Sequence, residues 1–212
     1  MKTKYPRTPH FPWSPGIGSD DKVRFDLSKL KGEILVVTEK MGGENTTLYP
    51  DGSIHARSLD SRSGAHQSWL RNMWGNLAPL WEAPDSVRIC GENLYAKHSI
   101  YYDKLPSFFM AFSVWYGEER TDYVDFQRTC EDLGIHTVPV LAVFEATGSF
   151  EQKLQSIFNQ VVASGGEGIV VTTSKGFHIS EFAAKTVKAV RANHVATDKH
   201  WSKSWTPNKL KG

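Results

Sequence analysis

Thr38-Glu39-Lys40-Met41-Gly42-Gly43-Glu44-Asn45 is the stretch on which the reading of this chain turns. It follows the apolar run Ile34-Leu35-Val36-Val37 and precedes a β-rich run, Thr46-Thr47-Leu48-Tyr49. A lysine therefore stands where a buried strand ends, and two glycines allow the backbone to turn sharply after it. Poor solvation at such a place disfavours the ammonium and favours the neutral amine, which is a nucleophile. With a phosphate-sized opening left by the glycines, attack on a nucleoside triphosphate is the chemistry suggested. The same octet also fits an ordinary solvated lysine beside a Gly-Gly turn, so the rest of the chain has to decide.

The bulk numbers bound the answer. A chain of 212 residues with 40% hydrophobic and 23% charged residues can bury a real core and fits one domain. No window reaches the length of a membrane span, and the N-terminus lacks a signal-peptide layout. Cys90 and Cys130 cannot build a disulfide framework or a four-cysteine zinc site, so a reducing, cytoplasmic setting is expected. His194 and His200 lack a zinc spacing. Charge is uneven: Lys175–Gly212 carries eight Lys/Arg against two acids, a balance of +6, within a chain of net charge +2. The preceding 174 residues therefore carry −4. That asymmetry suits either a polyanionic partner at the C-terminal part or a solvated basic tail.

Along the chain, Pro6, Pro9, Pro12 and Pro15 forbid helix in a leader whose Tyr5, Phe11 and Trp13 suggest packing on the body. Strands are expected at 32–39, 45–49 and 53–57, the last two joined by the turn Pro50-Asp51-Gly52. Apolar residues at helical spacing from His66 to Trp81 predict an amphipathic helix of core residues, disturbed at Pro79. Strands at 86–92 and 108–116 follow, then a helix over 121–133 ended by Gly134 and a strand at 138–145. Ser149 with Gln152 reads as a capping box opening a helix to Ala163. A strand at 168–172 and a β-rich or mixed segment over 182–195 complete an irregular α+β order.

Lys40-x-x-Gly43, Arg57-Ser58 at a strand end, Gly91-Glu92, the aromatic strand Phe108-Phe109-Met110-Ala111-Phe112, Glu167-Gly168-Ile169-Val170-Val171 and Lys185-x-x-Lys188 occur in that order. In this order they resemble the covalent nucleotidyltransferases, that is, the polynucleotide ligases and messenger-RNA capping enzymes. Within them, Glu39-Lys40-x-x-Gly43-x-Asn45 and Glu167–Val171 look closest to the ATP-dependent RNA ligases. The resemblance extends into the leader 5–10, into 190–195 and into Pro207-Asn208-Lys209-Leu210.

The resemblance implies an α+β nucleotidyltransferase core of antiparallel sheets with flanking helices enclosing a nucleotide cleft. It implies that Lys40 attacks the α-phosphorus of ATP to give lysyl-AMP, that AMP passes to an RNA 5′-phosphate, and that a 3′-hydroxyl displaces it. Each step is an in-line displacement at phosphorus, in which the protein positions reactants and spreads charge. Lys188, or failing that Lys185, would contact the α-phosphate. Two cations three apart cannot both face Lys40 from a regular strand. Glu92 and Glu167 would hold Mg²⁺ (or Mn²⁺) or the ribose hydroxyls. Phe112 would stack on adenine and Glu39 would read its edge. Gly43 would line the phosphate opening, Asn45 would orient the phosphate under attack, and Arg57 would bind ribose or the 5′-phosphate end.

One departure stands out: such ligases usually carry Asp or His two places after the lysine, where this chain has Gly42. Loss of such a group commonly costs orders of magnitude in rate. Two rivals stay open, a GTP-using capping guanylyltransferase and a nucleotide- or RNA-binding homologue weakened at Gly42. Without a zinc module or a nicotinamide-binding domain, ATP is favoured over NAD. The expected organisation is a nucleotidyltransferase domain over 1–195, including the leader, and a basic tail over 196–212 without an OB-fold. In that tail Lys199, Lys203, Lys209 and Lys211, with Trp201 and Trp205, would either share RNA contact or pack as structure. Expected partners are ATP and RNA ends, in a nicked duplex or broken loop, met by a monomer away from membranes.

Overall fold

An apolar run without alternation, such as Ile34–Val37, forms a strand covered on both faces, and β1 (Ile34–Glu39) fits: Leu35, Val36 and Val37 are all fully buried. The computed structural model describes residues 2–19, 21–23, 26–59, 64–192 and 205–212. After β1 come β2 (Glu44–Leu48), β3 (Ile54–Ala56), α1 (Ser68–Leu77), β4 (Val87–Asn93), β5 (Phe109–Tyr116) and β6 (Glu119–Arg120). Then follow α2 (Tyr123–Asp132), β7 (Val140–Glu145), α3 (Phe150–Ala163), β8 (Gly168–Thr173), β9 (Phe177–His178), α4 (Phe182–Lys185) and β10 (Thr186–Val190). The expected α+β class holds, and the named strand pairs are antiparallel.

The chain forms two compact units. The β1 unit combines Pro6–Met41 with the chain from Val138 through β10. Its sheet runs β10-β8-β1-β7. Val37 lies opposite Val171, and Val171 opposite Val187, so one face presents a continuous apolar row. Onto that face α3 lays Phe150, Leu154, Phe158 and Val161, spaced four, four and three apart as an amphipathic helix requires. The proline-rich leader is held here too. Lys188 N–H donates to Pro9 O (2.9 Å) and Phe11 N–H to Lys188 O (2.8 Å), so residues 9–11 run along the β10 edge. Phe11 enters the core and Trp13 stacks on it, ring centroids 4.7 Å apart.

The β2 unit holds Tyr5, Gly42–Thr137 and the described C-terminal residues. Its strands run β3-β2-β4-β5-β6. Leu70 and Trp74 of α1 are fully buried, and the Trp74 indole N–H donates to Tyr49 O (2.8 Å).

Three local expectations need correction. The helix from His66 to Trp81 is shorter: α1 spans Ser68–Leu77, and Pro79, which cannot donate to the helix ladder, converts Ala78–Leu80 into a 3₁₀ turn. Leu80 of the supposed core stripe is 74% exposed as a result. Ser149 does precede α3, but its side chain makes no capping bond, so the capping box is absent. The mixed segment after 182 resolves into the one-turn α4 and strand β10, while Asn193, His194, Val195, Lys199, Trp201 and Lys203 lie outside the described residues. Among the described residues no helix is long and apolar enough to cross a membrane.

Gly168 is where the sheet allows no side chain. Its φ is +155°, and a Cβ would lie 2.0 Å from Ala189 O on the neighbouring strand. Gly168→Ala is expected to destabilise the protein by about 3 kcal/mol, read as a lower urea midpoint, because backbone rather than a flexible side chain must move.

Candidate active site

Antiparallel pairing of β1 with β8 matches the end of one strand with the start of the other. Thr38 lies opposite Val170 and Glu39 opposite Ile169, and the Lys40 N–H donates to Gly168 O (2.9 Å). Continuing the register brings Glu167, just before β8, beside Lys40. The Lys40 Nζ sits 3.2 Å from Glu167 Oε1 and also donates to Met41 O (2.8 Å). Glu167 is nearly fully buried and Lys40 largely so. For unit charges at that separation the attraction is on the order of 5 kcal/mol at an effective dielectric near 20, much of it offset by desolvation.

β10 adds the second cation. Lys188 lies opposite Val170, as Thr38 does from the other side. Paired residues share a face and alternate residues return to it, so Lys188, Thr38 and Lys40 project together, away from the α3 core. Burial holds the Lys188 pKa below the usual lysine range, and the charge of Lys40 pushes the same way, against Asp21 and Glu167. The leader completes this cluster. His10 is fully buried, with Nδ1 3.1 Å from Ser14 Oγ and Nε2 3.3 Å from Asp21 Oδ2, and Arg7 approaches Asp21 at 3.7 Å. Burial raises the Asp21 carboxyl, but the Gly18 N–H bond and the charges of His10, Lys188 and Arg7 outweigh it and hold the pKa below the ordinary value.

The two candidate phosphate lysines part company here. Lys185 belongs to α4 rather than to the strand, and its Nζ bonds Glu33 Oε1 at 2.5 Å. Glu33 precedes β1 while Lys40 follows it, a separation of about 20 Å along an extended strand. Glu39 is half-buried, which raises its carboxyl above the ordinary range.

In the β2 unit the backbone bends at Gly43, and neither of the two glycines has a positive φ. Gly43 is needed for close packing, because a Cβ would lie 2.5 Å from Asn93 O and 2.8 Å from Leu94 Cδ2. Its N–H donates to Glu92 Oε1 (3.0 Å), and the Gly42 N–H donates to the Tyr102 hydroxyl (2.9 Å). Asn45 lies opposite Glu92 across β2 and β4, and its Oδ1 is buried with no hydrogen-bond partner among the described residues. Phe112 is half-buried at the bulge of β5, its ring edge-on to Tyr5 at 5.2 Å. Arg57 is exposed, and its backbone N–H donates to Asn45 O (2.9 Å).

The β1 unit thus gathers Lys40, Glu167 and Lys188, and the β2 unit gathers Gly43, Asn45 and Glu92. Sequence reading missed Arg7, His10, Asp21 and Tyr102. The nearest signal was the leader's likeness to the family, which gave no role to single residues. It missed also that Glu44 is tied to Gln67 Nε2 (2.8 Å) and His66 Nε2 (3.2 Å). No group of three or more His, Cys, Asp or Glu among the described residues forms a metal cage.

The fold has counterparts among solved structures. The fold is similar to that of a putative ATP-dependent DNA ligase from Aquifex aeolicus, at TM-score 0.57 and 17% identity, covering 91% of this chain and 50% of that one. It is also similar to an archaeal ATP-dependent RNA ligase, at TM-score 0.59 and 14% identity over 88% of this chain and 49% of that one. A Naegleria gruberi RNA ligase, a lysine-to-alanine mutant with ATP and Mn, matches at TM-score 0.53 and 16% identity, over 78% and 52%. The chain spans about half the length of these structures, and at such identities they establish the nucleotidyltransferase fold. No curated protein sequence matches the chain. The family model described as RNA ligase matches residues 33–190, and the chain belongs to that family.

Lys188 gives a pH test. With its folded pKa depressed, the charged side chain costs stability at neutral pH. That cost fades as pH rises through the folded pKa and is gone above the unfolded value of 10.5. Lys188→Met is therefore expected to be more stable than the parent at pH 7, with the gap narrowing toward pH 10 in paired urea melts.

Proposed function

We propose that the chain is an ATP-dependent RNA ligase that forms lysyl-AMP at Lys40. The observation that carries this is the Lys40–Glu167 pair at 3.2 Å with Lys188 on the same sheet face. The structure also pairs the Lys40 ammonium with Glu167, so poor solvation alone does not set its charge. A neutral amine is reached when the pair breaks or its proton passes on, and Glu167 Oε1 is the adjacent acceptor. The Nζ lone pair then forms the N–P bond as the bond to pyrophosphate breaks, and Lys188 offsets negative charge on the α-phosphate. Asn45, with an unpartnered buried oxygen, Glu92, Gly43 and Phe112 contribute nucleotide binding, and Glu39 reads the base edge. The exposed Arg57 binds ribose or the RNA 5′-phosphate. Lys185, held by Glu33, is left out of the phosphate role.

Mg²⁺ or Mn²⁺ would be held by Glu92 and Glu167 and would neutralise phosphate charge when bound. Transfer of AMP to an RNA 5′-phosphate and sealing by a 3′-hydroxyl are proposed for the whole protein, acting on RNA ends as a cytoplasmic monomer. A weakened, nucleotide-binding homologue is the second reading, and Gly42 is the residue that favours it.

Incubation with ATP and a divalent cation is expected to raise the intact mass by one AMP. The gain should vanish in Lys40→Ala, fall at least about a hundredfold in rate in Glu167→Gln, and not occur with GTP. A GMP adduct would favour the capping reading. Absence of any adduct, with recovery in Gly42→Asp, would favour the weakened homologue.

A further inference from the structure

Residues 94–108 connect β4 to β5 without helix or strand, a length that needs outside support to be ordered. The support comes from the C-terminal segment. Lys97 N–H donates to Thr206 O (2.8 Å), Asn208 N–H to Tyr95 O (3.0 Å), Lys209 N–H to Tyr102 O (2.8 Å) and Leu105 N–H to Lys209 O (3.0 Å). Asn208 is the centre of this seam. It is 3% exposed, its Oδ1 accepts from Tyr102 N–H (2.9 Å), and its Nδ2 donates to Leu94 O (2.7 Å). Tyr102 is therefore gripped at both backbone polar groups, which fixes where its side chain starts.

What that hydroxyl accepts is the Gly42 N–H, at 2.9 Å. This N–H belongs to the Met41–Gly42 peptide, whose carbonyl oxygen accepts from the Lys40 Nζ at 2.8 Å. A peptide group is planar, so fixing the direction of its N–H fixes the direction of its C=O. One rigid plate thus has the nucleophile on one edge and Tyr102 on the other. We infer that Tyr102, braced by Asn208, is a positioning residue for Lys40, and that the C-terminal segment acts on the adenylation step through this peptide.

The inference rests on lysine adenylation as proposed above, and its tests separate the two. Tyr102→Phe removes the acceptor and keeps the ring. It is expected to slow lysyl-AMP formation about tenfold with KM for ATP within twofold and thermal midpoint unchanged. Gly42 amide exchange should quicken about fivefold, the equivalent of one net hydrogen bond. Asn208→Leu should reproduce both effects, whereas Asn208→Asp, which keeps an acceptor for the Tyr102 N–H, should recover most of the rate. Labelling of Lys40 by an amine-selective reagent, followed by peptide mass spectrometry, reads the same positioning without ATP. In Tyr102→Phe the Lys40 rate should change about fivefold against unchanged rates at other lysines. Altered labelling in a protein that forms no lysyl-AMP would support the brace while ending the adenylation reading. Unaltered labelling, or an adenylation rate in Tyr102→Phe equal to the parent's, would overturn the brace.

Discussion

The structure around Lys40 depends on one constraint, the antiparallel register between β1 and β8. Because Glu39 faces Ile169 and Lys40 N–H is bound to Gly168 O, a lysine leaving one strand meets a carboxylate entering the next. A one-residue slip would turn each side chain to the opposite face and separate them. The register is locked from the far side by the apolar row of Val37, Val171 and Val187 packed under α3. It is locked on the β10 edge by Gly168, whose missing Cβ lets Ala189 O approach. Core packing and site geometry are therefore one requirement, expressed on opposite faces of a sheet.

Charge on the face away from α3 is arranged against ease of folding. Lys188 and Lys40 repel one another while burial already disfavours the Lys188 ammonium. Asp21 and Glu167 pull the other way without restoring the ordinary value. Such strain is bearable in a sheet anchored by a large apolar cluster. The leader contributes Asp21, Arg7 and buried His10 to this balance, so a segment without helix or named strand still shapes the electrostatics.

Much of this was legible in the sequence, and the remainder was not for identifiable reasons. The unbroken apolar runs before Lys40 and after Glu167 declared buried strands, and the motif order pointed to the family that residues 33–190 match. Composition could not reveal that β7 is an edge strand with Val143 55% exposed, because an apolar run looks the same at an edge and at a centre. Prolines in the leader excluded helix but not the pairing of Pro9 and Phe11 along β10. Gly-Gly suggested a sharp turn, but not that Gly43 is required by the closeness of Asn93 and Leu94. Tyr102 and Asn208 meet across 106 positions of sequence, in a loop with no periodicity to betray them.

The chain after Lys40 is held in an unusual way, and Gly42 makes sense in that light. Regular structure fixes backbone by repeating bonds to other backbone. Past Lys40, however, two successive amides, of Gly42 and Gly43, are held by side-chain oxygens of Tyr102 and Glu92. Side-chain acceptors bind a peptide only where the surrounding fold places them, so orientation is set by tertiary structure rather than by local propensity. A residue at position 42 then need not orient its own surroundings to keep the Met41 carbonyl in place, since the Tyr102 hydroxyl reaches the same peptide from outside. The peptide plane at position 42 is thus anchored without help from a side chain of its own.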